Sequence, residues 1–208
     1  MKKIAFLALL LAAFVAAGRA QESRQDISLS GFGLIEPFMA SSTTVQVNST
    51  PAYGALASYR FMLTPSSALE ANYGITYQNS IGYLVDNTYR YQILTRTQEM
   101  TGAYVRSFVF KNWNPFVEAG PAGLVFLPII NSGTKILDAK QQVAVAGMYG
   151  AGFAYEISPS FDIRAEYRGF VTKVPNFGLG SASSSTEDLS TNRWYNIFVP
   201  SVGVAYHF

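Results

Sequence analysis

His207 is the only imidazole in a 208-residue chain that has no cysteine. It is therefore the one side chain whose ordinary pKa suits acid–base work near neutrality. Ser201 precedes it by six positions, on the same face of an extended strand, which places the two roughly 20 Å apart. No Ser–His–acid constellation follows from that spacing. Thiolate and His-rich zinc chemistry are excluded by composition. The remaining polar chemistry is ionic: Arg60, Glu70, Glu118, Glu156, Asp162, Arg164, Glu166 and Arg168 alternate with apolar neighbours. No catalytic, cofactor-binding or metal-binding residue is assigned.

These charges are positioned by strands. From Leu69 to Tyr77, Leu69, Ala71, Tyr73, Ile75 and Tyr77 share one face, with Glu70, Asn72, Gly74 and Thr76 on the other. Phe161 to Val171 sets Ile163, Ala165, Tyr167 and Val171 against Asp162, Arg164, Glu166 and Arg168. Val143 to Ile157 alternates in the same way. A helical period would scatter these apolar residues around the whole circumference. Eight strands are expected, at about 27–39, 52–63, 69–77, 96–109, 116–127, 142–157, 161–171 and 194–208.

Tight turns at Thr64–Ser67, Lys111–Pro115 and Ser158–Ser160 carry Pro, Asn and Ser. Longer connections run over 40–51, 78–95, 128–141 and 172–193. The Pro-Ser turn and the strand after it occur twice, at Thr64 and at Ser158, as two hairpins of one plan. In strand four, either Met100, Tyr104 and Phe108 or Thr101, Ala103 and Val105 face outward. Strand one becomes apolar on both faces towards its end. Pro121 and Pro200 fall inside strands, where each removes a ladder hydrogen bond; a bulge is expected at Pro121 and a rim position for Pro200.

Residues 1–20 combine Lys2 and Lys3, an apolar run from Ile4 to Ala17 and Gly18-Arg19-Ala20. That is the pattern of a secretory signal peptide, leaving 21–208 as one domain. Removing Lys2, Lys3 and Arg19 takes the formal charge from +2 to −1, so there is no basic field for nucleic acid. The stretch 181–188 is Ser/Thr-rich and reads as a loop tip. Asn48-Ser49-Thr50 and Gly178-Leu179-Gly180 lack the context that would give them function.

The last residues alternate as well: Val202, Val204, Tyr206 and Phe208 lie on one face. They resemble the terminal signal by which bacterial outer-membrane barrels are recognised for assembly. With the signal peptide, the eight alternating segments and the loop asymmetry, the chain resembles a small OmpA/OmpX-type outer-membrane β-barrel. The resemblance implies an all-β, eight-stranded antiparallel up-and-down transmembrane barrel in the outer membrane of a Gram-negative bacterium. Its partners would be outer-membrane lipid, the barrel-assembly machinery during insertion, and a surface ligand or host protein at the long loops; a monomer is expected.

The eight ionic residues would then point inward as a paired polar plug, because an eight-stranded interior is only just wide enough to be filled by side chains. Tyr53, Tyr59, Phe61, Tyr73, Tyr77, Tyr149, Phe161, Tyr167 and Trp194 would face lipid, many of them near the headgroups. The expected function is non-enzymatic: membrane integrity, with external loops available for surface interaction. Alternatives are a narrow ion-conducting pore, favoured by small inward Gly positions, and a lipid-A-modifying enzyme. The enzymes of that class that use small barrels carry their catalytic groups near the external surface, where His207 does not lie. A soluble secreted ligand-binding barrel is a fourth class.

Overall fold

The computed structural model describes residues 25–40, 45–85, 87, 89–133, 138–179, 189–191 and 193–208. The proposed signal peptide and the Ser/Thr-rich stretch lie outside them. Eleven β elements follow one another: β1 (Gln25–Leu34), β2 (Met39–Ala40), β3 (Val45–Ser49), β4 (Ala52–Thr64), β5 (Ser67–Thr76), β6 (Asn79–Val85), β7 (Tyr89–Ser107), β8 (Trp113–Gly133), β9 (Gln142–Ser158), β10 (Phe161–Lys173) and β11 (Trp194–His207). All pairings are antiparallel.

Eight of these elements close a ring in the order β1, β4, β5, β7, β8, β9, β10, β11 and back to β1. Closure satisfies both edges of every strand, which is what a sheet in hydrocarbon requires. The other three continue the ring's strands. Leu34 faces Ala52 and Met39 faces Val47, so β2 prolongs the register of β1 past a break at Ile35–Phe38. Gly54 faces Thr76 and Ser49 faces Ile81, so β3 and β6 prolong β4 and β5. Pro37 and Pro51 sit in the breaks, where a missing N–H interrupts the ladder. The segments 40–51 and 78–95, expected to be loops, therefore carry strands: β3 is short and stands beside Pro51, β6 is seven residues long, and β7 begins at Tyr89. They form a sheet that stands beyond the barrel rim at the long-loop end.

The short turns fall where expected, after Thr64, Ser107 and Ser158, with ladder irregularities at Met62/Thr64 and Phe161/Asp162. Strand four is resolved as well. Met100 and Tyr104 face outward, and Thr101, Ala103 and Val105 are buried inside.

Both prolines depart from expectation. The β7–β8 register is unchanged on either side of Pro121, from Thr101 facing Ala122 to Tyr104 facing Ala119, so there is no bulge. The pairs between those two are simply missing. Pro200 lies in the middle of β11, opposite Tyr167, and not at the rim. The β1–β11 ladder stops at Phe32–Ser201 and resumes only at Ile35–Phe198. Both prolines point outward, so each loses a donor on one side while keeping its pairing on the other.

The outer surface of the ring is apolar: Leu29, Val202, Val145, Met100 and Val117 are all strongly exposed. Aromatic rings gather at both of its margins. Trp113, Tyr155, Phe161 and Tyr206 lie at the short-turn end, and Phe38, Tyr53, Tyr77 and Trp194 at the other. Tyr53 stacks on Tyr77 with centroids 5.6 Å apart, and Trp113 packs edge-on against Tyr155 at 5.2 Å. This belt has the form of the aromatic girdles that flank a lipid-facing band.

Replacing Ala165 by Arg on this band should cost about 2–4 kcal/mol near the bilayer midplane. Urea unfolding of the refolded barrel in lipid measures it. A cost near zero would mean that this face does not meet hydrocarbon.

Candidate functional site in the barrel interior

Every second residue of the ring strands points inward, and the interior is divided into two halves. The half nearest the short turns is ionic; the half nearest the long loops is hydrocarbon.

In the ionic half, Arg60, Glu70, Glu118, Asp162, Arg164, Glu166 and Arg168 are all buried, as the alternation predicted. Glu156 departs from the group. It faces Asp162 across the β9–β10 ladder but stays half-exposed, because it lies at the rim where water reaches. Two carboxylates escaped the sequence reading. Asp26 is fully buried and Glu99 is 2% exposed. Asp26 was missed because β1 starts earlier than expected, and Glu99 because the facing of strand four was undecided.

Arg164 links the lower cluster. It donates to Asp26 Oδ1 at 3.1 Å and to Ser28 Oγ at 3.4 Å, and its Nη1 lies 3.7 Å from Glu70 Oε2. Arg60 donates from Nε to the same Glu70 oxygen. The Phe116 ring lies beside both guanidinium groups, 4.8 Å from that of Arg60 and 6.0 Å from that of Arg164. One step higher, Arg168 bridges Glu99 at 2.8 Å and Glu166 at 3.3 Å, and Ser201 Oγ donates to Glu166 Oε1 at 3.0 Å. His207 sits at the mouth, with Nε2 2.8 Å from Asp162 Oδ2. His207 and Ser201 thus belong to different clusters, the imidazole on Asp162 and the hydroxyl on Glu166.

Inward glycines supply the room for these side chains. A Cβ on Gly74 would stand 2.6 Å from Glu99 Cγ, and one on Gly150 2.6 Å from Glu118 Oε1. At Gly152 it would meet the Phe116 ring at 2.6 Å. The small inward positions that favoured a pore in the sequence are filled by neighbouring side chains.

The hydrocarbon half begins with Phe32, Leu34, Leu56, Leu124 and Phe126 and runs on into the sheet beyond the rim. Val45, Val47, Ile81, Val85 and Ile93 line the inner side of that sheet, and Phe177 and Leu189 close over it, both fully buried. Phe177 packs edge-on against Tyr83 at 6.3 Å and against Phe126 at 6.5 Å. Tyr83 Oη donates to the Pro175 carbonyl at 2.7 Å, tying the segment after β10 to the cap.

One carboxyl lies within this apolar mass, just past the lipid-facing band. Glu36 accepts from Asn79 Nδ2 at 3.2 Å and from Tyr195 Oη at 3.3 Å. Burial pushes its pKa above the ordinary carboxyl value, against the opposing pull of its Ser49, Tyr195 and Asn79 contacts. Burial, reinforced by the nearby Glu36, also raises the Tyr83 phenol well above its usual value. Glu36 was not picked out from the sequence, because it falls where strand one is apolar on both faces.

Two outcomes follow from these contacts. Glu70→Ala leaves Arg60 and Arg164 short of a partner in a closed interior and should cost about 3–5 kcal/mol in urea unfolding; an effect under about 1 kcal/mol would mean that water replaces the carboxylate. For Glu36 the folded state favours the neutral acid. Its stabilisation is complete below the unfolded carboxyl pKa and is lost as pH rises through the raised value. Limited proteolysis should therefore find the cap loosening with rising pH, and Glu36→Gln should flatten that dependence. An unchanged profile in Glu36→Gln would assign the effect elsewhere.

The geometry agrees with solved membrane barrels. The outer membrane protein OprG from Pseudomonas aeruginosa is 12% identical, with a TM-score of 0.60 over 90% of this chain and 97% of that one. Outer membrane protein AlkL, solved in lipid bilayers, is 12% identical, with a TM-score of 0.57 over 91% and 92% of the two chains. Neisserial surface protein A is 12% identical, with a TM-score of 0.55 over 89% and 98%. At these identities the likeness is one of fold. No curated protein sequence matches the chain. The family model described as outer membrane protein beta-barrel domain matches residues 5–208. A closed eight-stranded ring, an apolar outer band with aromatic margins and that match over nearly the whole length agree: the chain belongs to the outer membrane β-barrel domain family.

Proposed function

We propose that this protein is a non-conducting, non-enzymatic barrel of the Gram-negative outer membrane. Residues 1–20 direct its export, and the sheet beyond the rim faces the outside. The observation that carries the reading is the filled interior. From the short-turn end a solute meets the Arg60–Glu70–Arg164–Asp26 cluster, then Arg168 with Glu99 and Glu166, and then a hydrocarbon core. A pore would need a continuous polar path, and Phe126, Phe170, Phe177 and Ile197 stand across it, each fully buried.

The enzymatic alternative needs a base near the external surface. The one histidine lies at the opposite end, held by Asp162. The soluble alternative needs a hydrated outer face, whereas the ring's outer face is apolar all round. Outer-membrane lipid is the partner that this face suits. The alternating Val202, Val204, Tyr206 and Phe208 would engage the assembly machinery, and the sheet formed by β2, β3, β6 and β7 with the end of β8 would meet a surface ligand or host protein.

Purified barrel in a planar bilayer should give no stepwise current, and in intact cells the protein should fractionate with the outer membrane. Reproducible channels that Phe126→Ala and Phe170→Ala leave unchanged would overturn the closed-barrel reading. Release into plain buffer would overturn the location.

A further inference from the structure

The ionic half of the interior is unbalanced. Asp26, Glu70, Glu99, Glu118, Asp162 and Glu166 are each no more than 8% exposed, against three buried guanidinium groups, Arg60, Arg164 and Arg168. His207 at the mouth adds at most one positive charge and is engaged by Asp162. Each guanidinium already lies against a carboxylate, Arg60 against Glu70, Arg164 against Asp26 and Glu70, Arg168 against Glu99 and Glu166. Although Arg60 Nη2, Arg164 Nε and the Arg168 nitrogens keep unfilled hydrogen-bonding capacity, three positive groups cannot balance six carboxylates. Glu118 is the carboxylate left over. It is 4% exposed, and neither of its oxygens has a hydrogen-bond partner; Glu70 Oε1 is likewise unpartnered.

The position of Glu118 makes this more than a deficit of charge. Glu70 on β5, Glu118 on β8 and Glu166 on β10 come from three separate strands, yet each brings a carboxylate oxygen within 4.8 Å of the other two. Three carboxylates converge in a closed space only where a proton or a further cation offsets their charge. We propose that the Glu70–Glu118–Glu166 cluster holds one calcium-sized divalent cation inside the barrel.

The donor set consists of hard oxygens only, which suits an alkaline-earth ion. Calcium accepts about six to eight oxygens in a flexible geometry, whereas magnesium demands a near-ideal octahedron and keeps several of its waters, so three carboxylates from separate strands in a closed space suit the more tolerant ion. Entry is from the short-turn end. A cavity of about 90 Å³ opens there beside Asp26, Asp162 and His207 and reaches Arg60, Arg164 and Phe116. Its two aspartates favour a cation at the mouth. The cavity stops at Arg60, Arg164 and Phe116, short of the three glutamates, and the apolar core closes the other end, so an ion reaching the cluster has to pass the two guanidinium groups.

The test is calorimetric titration of the refolded full-length barrel with CaCl2 in a zwitterionic detergent, alongside its thermal unfolding with and without calcium. The expected result is saturable uptake of about one Ca²⁺ per barrel and a calcium-dependent rise in melting temperature. Because affinity at such sites follows the count of charged ligands, Glu118→Gln should weaken uptake about tenfold or more and remove the rise. Asp138→Asn, at an exposed side chain, should change neither. If Glu118→Gln does not fold, Glu166→Gln serves as the second variant with the same expectation.

Absence of saturable uptake overturns the proposal. So does uptake that the folded Gln variant retains in full, which would place calcium elsewhere on the protein. A wild-type barrel that melts at the same temperature with and without calcium, while Glu118→Gln raises that temperature in both conditions, also overturns it, since a proton would then be what neutralises the cluster. None of these outcomes bears on whether the barrel conducts, so failure here leaves the closed-barrel reading standing.

Discussion

A backbone amide exposed to hydrocarbon without a partner costs several kcal/mol, so a sheet that enters a bilayer has to close on itself. In this chain closure is completed by β7. Its first half pairs with β6 and its second half with β5, while its other edge runs along β8. Pro121 and Pro200 show how far the constraint can be relaxed. Each interrupts one ladder, locally and on one side, while its other neighbour keeps the register. Once the ring is closed with eight strands its bore is narrow, and the rest of the molecule follows from how that bore is filled.

The filling changes character along the axis. At the short-turn end it is made of buried charges, with Arg164 and Arg168 each shared between two carboxylates, Arg60 held by Glu70, and an aromatic ring or a glycine giving them space. Such a network is costly to desolvate and costly to break, so it specifies one arrangement more than it adds net stability. At the long-loop end the filling is ordinary apolar packing. It continues past the membrane into a small core shared by the barrel rim, the prolonged strands and Phe177 and Leu189. The outward sheet is therefore packed onto the barrel through a common core and does not stand as a separate hairpin, which gives any surface contact a rigid platform.

Much of this was legible in the residues. A period of two in side-chain character is a direct image of a strand with unlike environments on its two faces. It located all eight ring strands, although it ran strand one past Leu34, began β7 well after Tyr89 and ended β8 well before Gly133; it set Ile163 and Tyr167 outward, and set Arg164 and Arg168 inward. It failed where the two faces are alike. From Phe32 to Met39 both sides are apolar, since one meets lipid and the other the hydrocarbon half of the bore, and Glu36 went unnoticed there. In β3 and β6 the strands are short, so the pattern never ran long enough to register, and the start of β7 at Tyr89 went unread with them.

The alternation, being local, thus determined the strands, the faces and the sign of what lies on each. Which charge meets which was decided only by the folded ring. Glu70, Glu118 and Glu166 are dozens of positions apart in the chain and converge only because closure brings β5, β8 and β10 around one axis. The excess of carboxylate over guanidinium is likewise a property of the enclosed volume. Asp26 and Glu99 join the interior through register, and a one-residue change of register would have put them in lipid.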